Sequence, residues 1–368
     1  MRGLGVPIVV LAAGCKFGGP PLAGDAGSGD AMIDARRPDG APGAARKKRI
    51  TIDPAKVTGR HDDFPVWIAL TDLDLAAHAA ADGSDIYFTR PDGSPLEHQL
   101  QRWTKSAGRL EGWVRIDLED DTPTLLDLRY GDPGPAHGPN PPLVFSSSFA
   151  AVWHLDDPLE TPAVADARNA RNGTAMGGLG AADQIAAQLG GGIDFDGVNN
   201  QIQFVNPFAG NAEHTFSAWI FQRMPLGCDS IVTVGTPANN RSRFLHSNYV
   251  TSIGAGFFVN DRTPAIVLAP PAWTLLHWVF EGNNRKSRLY RNGVEVDNGN
   301  YSPGIDTQGA AGYLGYAPSG WSTCALNGTL DEVRLATTSR NAGWIATEYA
   351  NQQAPATFYS VGAEEIVP

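Results

Sequence analysis

Two carboxylates about 5–5.5 Å apart can serve as acid and nucleophile in a retaining glycosidase. Laminarinase-type enzymes carry such a pair in a Glu-x-Asp-x-x-Glu run. The nearest approach in this chain is Glu295-Val296-Asp297-Asn298-Gly299-Asn300, which lacks the final acid and follows a hairpin turn. Asp331 and Glu332 are adjacent, so a regular strand points them to opposite faces and they are not expected to act together. There is no Gly-x-Ser-x-Gly elbow, no His-Glu-x-x-His pair and no phosphate loop. The eight histidines are scattered, and His154 and His277 fall in strand patterns, where packing or hydrogen bonding is the expected role. No catalytic residue is therefore expected, and the chain is read as not an enzyme.

Binding chemistry has more to draw on. Asp156, Asp157 and Asp194, with Asp196 nearby, are hard oxygen donors of the kind calcium takes, although Asp196-Gly197 is explained by a turn alone. Glycan contact needs an aromatic face for sugar C–H surfaces and amides for hydroxyls. Tyr316, Trp321, Tyr249 and Asn240 supply those types in loop-like stretches and are the ligand-binding candidates.

These residues must be held by strands. The chain combines 42 Gly and 27 Pro with 18% charged residues, a mix that favours short strands and many turns. Between 46 and 140, strand patterns recur at Arg49–Ile52, Phe64–Leu70, Asp85–Thr89, Leu96–Trp103, Glu111–Leu118 and Thr124–Tyr130, with a helix-like stretch from Leu73 to Ala81. The run Arg46-Lys47-Lys48-Arg49 reads as a solvated flank of an edge strand. Between 145 and 362 the strand patterns are Gly192–Val198, Gln201–Phe204, Thr215–Phe221, Trp273–Phe280, Arg288–Val296 and Leu326–Arg334. Asn292-Gly293 marks a hairpin, and Ser339–Asn351 carries helical spacing. The fold expected is all-β: two β-sandwich domains, the second a jelly roll.

The second segment resembles the laminin-G-like (concanavalin A-like) jelly-roll family. The residues that carry this are Trp153-His154-Leu155-Asp156, Phe195-Asp196-Gly197, Phe216-Ser217-Ala218-Trp219, Leu276-His277-Trp278-Val279, Leu289–Gly293 and Gly328–Arg334. The resemblance implies a binding or adhesion module, often for glycans, and a calcium ion at the sandwich rim in many members. The first segment resembles a bacterial domain of unknown function that commonly precedes such jelly rolls, on Ile50-Thr51-Ile52, Phe64-Pro65-Val66, Asp82–Ile86, Trp113-Val114 and Tyr130-Gly131. That second likeness implies no known chemistry.

Met1-Arg2, the apolar Gly3–Leu11 and then Leu11-Ala12-Ala13-Gly14-Cys15 resemble a bacterial lipoprotein signal. The expectation is a signal peptide over 1–14, lipid on Cys15 and a flexible Gly/Pro/Ala-rich stalk over 15–45. Lys16 follows the cysteine where an inner-membrane retention signal has Asp, so the expected place is the outer membrane or cell surface. A secreted or periplasmic protein without the lipid is the alternative. With Cys15 lipidated, Cys228 and Cys324 remain as an even pair in an oxidising compartment. In a jelly roll the 216–221 and 329–334 strands should run antiparallel, which brings the two cysteines together as a disulfide.

The net charge of −11 excludes a general nucleic-acid binder, which needs clustered Lys and Arg. The functional expectation is a surface-anchored binding or adhesion protein for a glycan or protein partner. A structural envelope lipoprotein and a carbohydrate-active enzyme are the alternatives.

Overall fold

The first strand sets the architecture of the N-terminal half. β1 (Arg46–Ile52) alternates RKKRITI, and its odd members, Ile50 and Ile52 among them, are buried. In the computed structural model, which describes residues 44–132, 138–223, 227–248, 251–266, 268, 272–318 and 324–367, this strand is central and not an edge. It pairs antiparallel with β6 (Thr124–Tyr130) on one side and with the last strand of the chain, Tyr359–Ile366, on the other. The expectation of a solvated basic flank fails for that reason. Arg46 and Lys48 are 4% and 5% exposed, and acids face them: Lys48 Nζ lies 2.8 Å from Asp74 Oδ2, and Arg46 Nε lies 3.3 Å from Glu364 Oε1.

β3 (Tyr87–Thr89) completes this sheet beyond β6. Against it packs a three-stranded sheet of β2 (His61–Thr71), β5 (Arg109–Leu118) and β4 (His98–Thr104), in that order. Ile50, Phe64, Val66, Phe88, Val114, Leu126 and Leu128 fill the space between, all essentially inaccessible to water. Helix α1 (Leu73–His78) begins where Asp72 accepts hydrogen bonds from the backbone N–H groups of Asp74 and Leu75. The short α2 (Pro141–Val144) leads into the second sandwich.

That sandwich has two large sheets. One holds β7 (Phe149–Trp153), β10 (Gln184–Ala186), β11 (Gly191–Asp196), β13 (His214–Gln222), β18 (Thr274–Phe280), β19 (Lys286–Arg291), β20 (Val294–Asn300) and β24 (Asn327–Ala336). Its order is β10-β11-β24-β13-β18-β19-β20, with β7 also on β24. The other runs β17-β16-β15-β14-β21-β12-β9-β8, from β17 (Asn260–Arg262), β16 (Ser252–Phe257), β15 (Ser242–Asn248), β14 (Cys228–Gly235), β21 (Ala311–Leu314), β12 (Gln201–Val205) and β9 (Gly173–Met176) to β8 (Ala163–Val164). A small hairpin of β22 (Tyr316–Ala317) and β23 (Cys324–Ala325) stands apart. Alternating residues from both large sheets, such as Ile202, Phe216, Val232, Leu245, Trp278 and Leu330, meet in one core. Asn292 and Gly293 both adopt positive φ, 51° and 80°, in the turn between β19 and β20.

After β24 the chain does not stay with the jelly roll. Helix α3 (Ala342–Gln353), capped by Asn341, and α4 (Pro355–Phe358) carry it back, and β25 (Tyr359–Ile366) joins β1. The Tyr359 hydroxyl donates to the Ala69 carbonyl and accepts its N–H, at 2.9 and 2.8 Å. Residues 359–362, expected in the jelly roll, thus belong to the first sandwich. The physical reason is that β1 needs a partner on its second edge.

Candidate functional site

The two large sheets of the jelly roll differ in what lies outside them. Every residue of β18 is buried, and all but one of β13 and of β24. Phe216, Ala218 and Ile220 point into the sandwich core, while Trp219, Leu275 and Val279 point out into a second core shared with Trp344 and Ile345 of α3 and with Trp113 of the first sandwich. The centre of this sheet, β13, β18 and β24, is covered on both faces.

The acids of β24 lie in that covered seam. Leu330, Val333 and Leu335 enter the sandwich core, so Asp331, Glu332 and Arg334 all face outward. The expectation that adjacency splits Asp331 and Glu332 is corrected by a bulge: the register with β13 shifts between Ser217 and Trp219, and Glu332 takes φ = 50°. Glu332 accepts from Arg334 NH2 at 2.8 Å and contacts His154 Nδ1 at 2.6 Å. Arg334 NH1 reaches Glu348 Oε1 of α3 at 2.8 Å, and His277 Nε2 meets the other oxygen of that carboxylate at 3.0 Å. The Arg334 guanidinium also stacks 4.4 Å from the Trp113 ring centroid. His154 Nε2 contacts Gln99 Oε1 of the first sandwich at 3.1 Å, so the network ties the two sandwiches and α3 together.

Proton affinities in the seam diverge. Burial, then the charge of Glu332, pushes the Asp331 carboxyl well above its ordinary value, and its Oδ2 accepts from the Leu189 N–H at 2.7 Å. Burial acts on Glu332 in the same sense, but the charges of His154 and Arg334 outweigh it and hold that carboxyl down. Burial also opposes ionisation of Glu348, yet the hydrogen bond from His277 and the charge of Arg334 bring it to about 2. For His154, burial disfavours the cation, but the Glu332 charge and hydrogen bond raise its pKa. A protonated acid beside an ionised one is what general acid–base work requires. Here both are at most 1% exposed, beneath the first sandwich.

The second sheet is open over part of its outer face. On β9, β12 and β21 the residues Ala175, Ile202, Phe204 and Leu314 point inward. Their neighbours point out, and the register sets Thr174 beside Gln203 and Gln203 beside Tyr313. A groove of ≈ 300 Å³ runs past Thr174 and Gln203 of this row, lined also by Asn172, Val205, Ala310 and Ala311. Gly312 is required beneath it, because a Cβ there would come within 2.4 Å of the Phe204 ring. That ring packs on Trp153 with centroids 4.6 Å apart. Asn172 is fixed by accepting from the Asp166 N–H at 2.9 Å, and Asp166 in turn gathers the N–H groups of Val152, Arg168, Ala170 and Arg171. Among the described residues, no hydrogen bond engages the Gln203 amide or the Tyr313 hydroxyl. A free amide and a hydroxyl thus line an open groove, and the Tyr313 ring stands beside Gln203 on the next strand.

The sequence candidates fall elsewhere. Cys15, Tyr249 and Trp321 lie outside the described residues. Tyr316 sits on the β22–β23 hairpin, half-buried, whereas Asn240 lies in the turn after β14. Asn240 is a loop tie: its Oδ1 accepts from Asn260 Nδ2 at 2.7 Å, and its φ is 60°. The two are not brought together. Asp194 is engaged by Arg223 and by the Thr329 hydroxyl, which donates at 3.0 Å. Asp157 accepts from the Ala165 N–H at 3.2 Å, and burial raises the Asp156 carboxyl toward its neutral form. Asp196 caps its own turn by accepting from the N–H groups of Val198, Asn199 and Asn200.

Cys228 and Cys324 form the expected disulfide, with Cα atoms 4.9 Å apart. β13 and β24 run antiparallel as required, Phe221 opposite Thr329. His246 Nδ1 lies 3.3 Å from Cys228 Sγ, and burial lowers that imidazole to about 3. Among the described residues, Cys228, His246 and Cys324 are the one group of three ligand-type side chains close enough to share an ion, and the two sulfurs are spent on each other. Sequence reasoning missed Asn172, Thr174, Gln203 and Tyr313. The alternation Gln201-Ile202-Gln203-Phe204 did assign Gln203 to the outer face, but no local signal says which outer face stays uncovered.

Comparison with known proteins agrees with this geometry in the jelly roll. Residues 196–346 match the family described as the Concanavalin A-like lectin/glucanases superfamily, so this region is a concanavalin A-like domain. No curated protein matches the sequence. Among solved structures, domain 4 of an extracellular arabinanase from Geobacillus stearothermophilus, in complex with arabinotriose, is 19% identical, with a TM-score of 0.44 over 55% of this chain and 98% of that one. The Trypanosoma rangeli sialidase is 11% identical, with a TM-score of 0.44 over 65% of this chain; the chain covers 43% of it. A carbohydrate-binding module of a Ruminococcus gnavus sialidase, bound to α2,3-sialyllactose, is 10% identical at a TM-score of 0.34, over 38% and 84%.

Proposed function

We propose that the protein is a non-catalytic glycan-binding protein of the bacterial surface, and that the open face of β9, β12 and β21 is its binding platform. The observation that carries this reading is the outward row Thr174, Gln203 and Tyr313, the first two of which line a ≈ 300 Å³ groove. Tyr313 offers a ring to sugar C–H surfaces, the Gln203 amide can donate and accept, and Thr174 supplies a hydroxyl. The superfamily to which residues 196–346 match includes lectins, which supports the class of ligand. It also includes glucanases, but the acid pair with divergent proton affinities, Asp331 and Glu332, lies under the first sandwich with Arg334 and His154 as partners. That pair is read as a structural lock. Surface attachment rests on Leu11–Cys15 and is part of the same proposal. A glycan array probed with the full chain tests it. Saturable binding to a family of related glycans, lost in Gln203→Ala and Tyr313→Ala, is expected, and an array with no binding at all contradicts the reading.

A further inference from the structure

A second pocket lies where the first sandwich, α3 and the 186–190 loop of the jelly roll meet. It has a volume of ≈ 260 Å³ and is walled by Arg102, Arg109 and Glu111 of the first sandwich, by Ala187 and Gly190, and by Gln353. A neighbouring cavity of ≈ 540 Å³, reaching Tyr359 and Val361 of β25, shares Ala69, Arg109 and Glu111 with it. Glu111 is 6% exposed, and its two oxygens differ. Arg109 donates to Oε1, with Nε at 2.9 Å. Oε2 makes no hydrogen bond; Arg102 Nη1 lies 3.4 Å from it, and the amide Nε2 of Gln101 is unpaired as well. Gly190, at φ = 80°, leaves space before these groups: a Cβ there would stand 3.6 Å from Glu111 Oε2 and 3.8 Å from Arg102 NH2.

Two guanidiniums, 36% and 46% exposed, share one carboxylate here, so the charged side chains of the pocket sum to one positive charge beside a buried carboxylate oxygen without a hydrogen bond. An occupant that satisfies both must bring a negative charge and a hydroxyl on a small body, with apolar faces for Ala69, Ala187 and Pro355. The volume suits one sugar ring, and the adjoining cavity has room for its neighbour. We propose that this pocket binds an acidic sugar, with the carboxylate of a hexuronic acid on Arg102 and Arg109 and a ring hydroxyl donating to Glu111 Oε2. The site shares no residue with the open sheet face and stands without the reading given to that face.

Titration of the full chain with D-galacturonic acid, followed by NMR, tests this, with D-galactose and acetate as parallel probes. The expected result is saturable galacturonate binding, weaker by about tenfold or more for galactose and for acetate. Arg102→Glu should abolish it while the melting temperature stays near that of the parent, and Gln353→Ala should weaken it. Tyr313→Ala should leave it unchanged, which separates this site from the open face. Equal binding of galactose, binding that survives Arg102→Glu, or no saturable galacturonate binding in the folded parent would each overturn the proposal.

Discussion

Asp331 and Glu332 sit side by side on β24, and their surroundings drive their protons in opposite directions. Asp331 is raised by burial and by the Glu332 charge, so its folding contribution is full below its ordinary pKa and is lost as pH rises through the raised value. Asp331→Asn should therefore gain melting temperature relative to the parent between about pH 5 and about pH 9; an equal loss at both ends would contradict this account. Glu348 has the reverse sign. Held at about 2 against the burial that opposes it, it stabilises above the ordinary carboxylate range and loses that contribution as pH falls from 4.5 toward 2. Arg334, 2% exposed, joins Glu332 to Glu348, and Arg334→Leu should cost about 3–5 kcal/mol in denaturant unfolding because it strands buried charge. A cost below about 1 kcal/mol would show that the network holds nothing. None of this was legible in the sequence, which assigned Asp331 and Glu332 to opposite faces. A bulge is set by what packs on both sides of a strand, and the first sandwich that covers this one lies more than two hundred residues earlier in the chain.

At the scale of elements, β25 is the piece on which the first sandwich depends. Without it β1 exposes an edge, and the hydroxyl of Tyr359 no longer closes its two bonds to Ala69. Truncation after Ala354 should leave the chain largely insoluble or unfolded by circular dichroism, and a soluble, cooperatively folding product would refute that dependence. The disulfide is the other long-range tie. It closes a separation of 96 residues, and Cys324→Ser should lower stability by up to about 4.7 kcal/mol in the chain-entropy view. Here the sequence was more informative. Asn292-Gly293 announced its turn, the strand patterns located most of the hairpins, and the cysteine pair was readable once the jelly roll was suspected. The return of 359–366 was not, because an amphipathic strand pattern does not say which edge it will join.

At the scale of the whole molecule, two sandwiches share one buried seam, filled by Trp113, Trp219, Trp344 and Ile345 and by the Arg334 network. They should melt in one calorimetric transition, and two separated transitions would show that the seam is weak. With Asp194 taken by Arg223 and the half-buried Asp156 raised toward its neutral form, a chelator should leave that transition unmoved. The centre of one sheet is covered while part of the other stays open, which is why the binding platform is assigned to Thr174, Gln203 and Tyr313. The sequence supplied the jelly roll and the outward direction of Gln203, but not the covering, which only the folded arrangement of both sandwiches decides. Isothermal titration of an array-identified oligosaccharide into the parent chain and into Gln203→Ala and Tyr313→Ala tests the central claim most directly. The account predicts affinity lower by about tenfold in each variant with melting temperature unchanged. Parental affinity in both variants would contradict it and move the platform off this face.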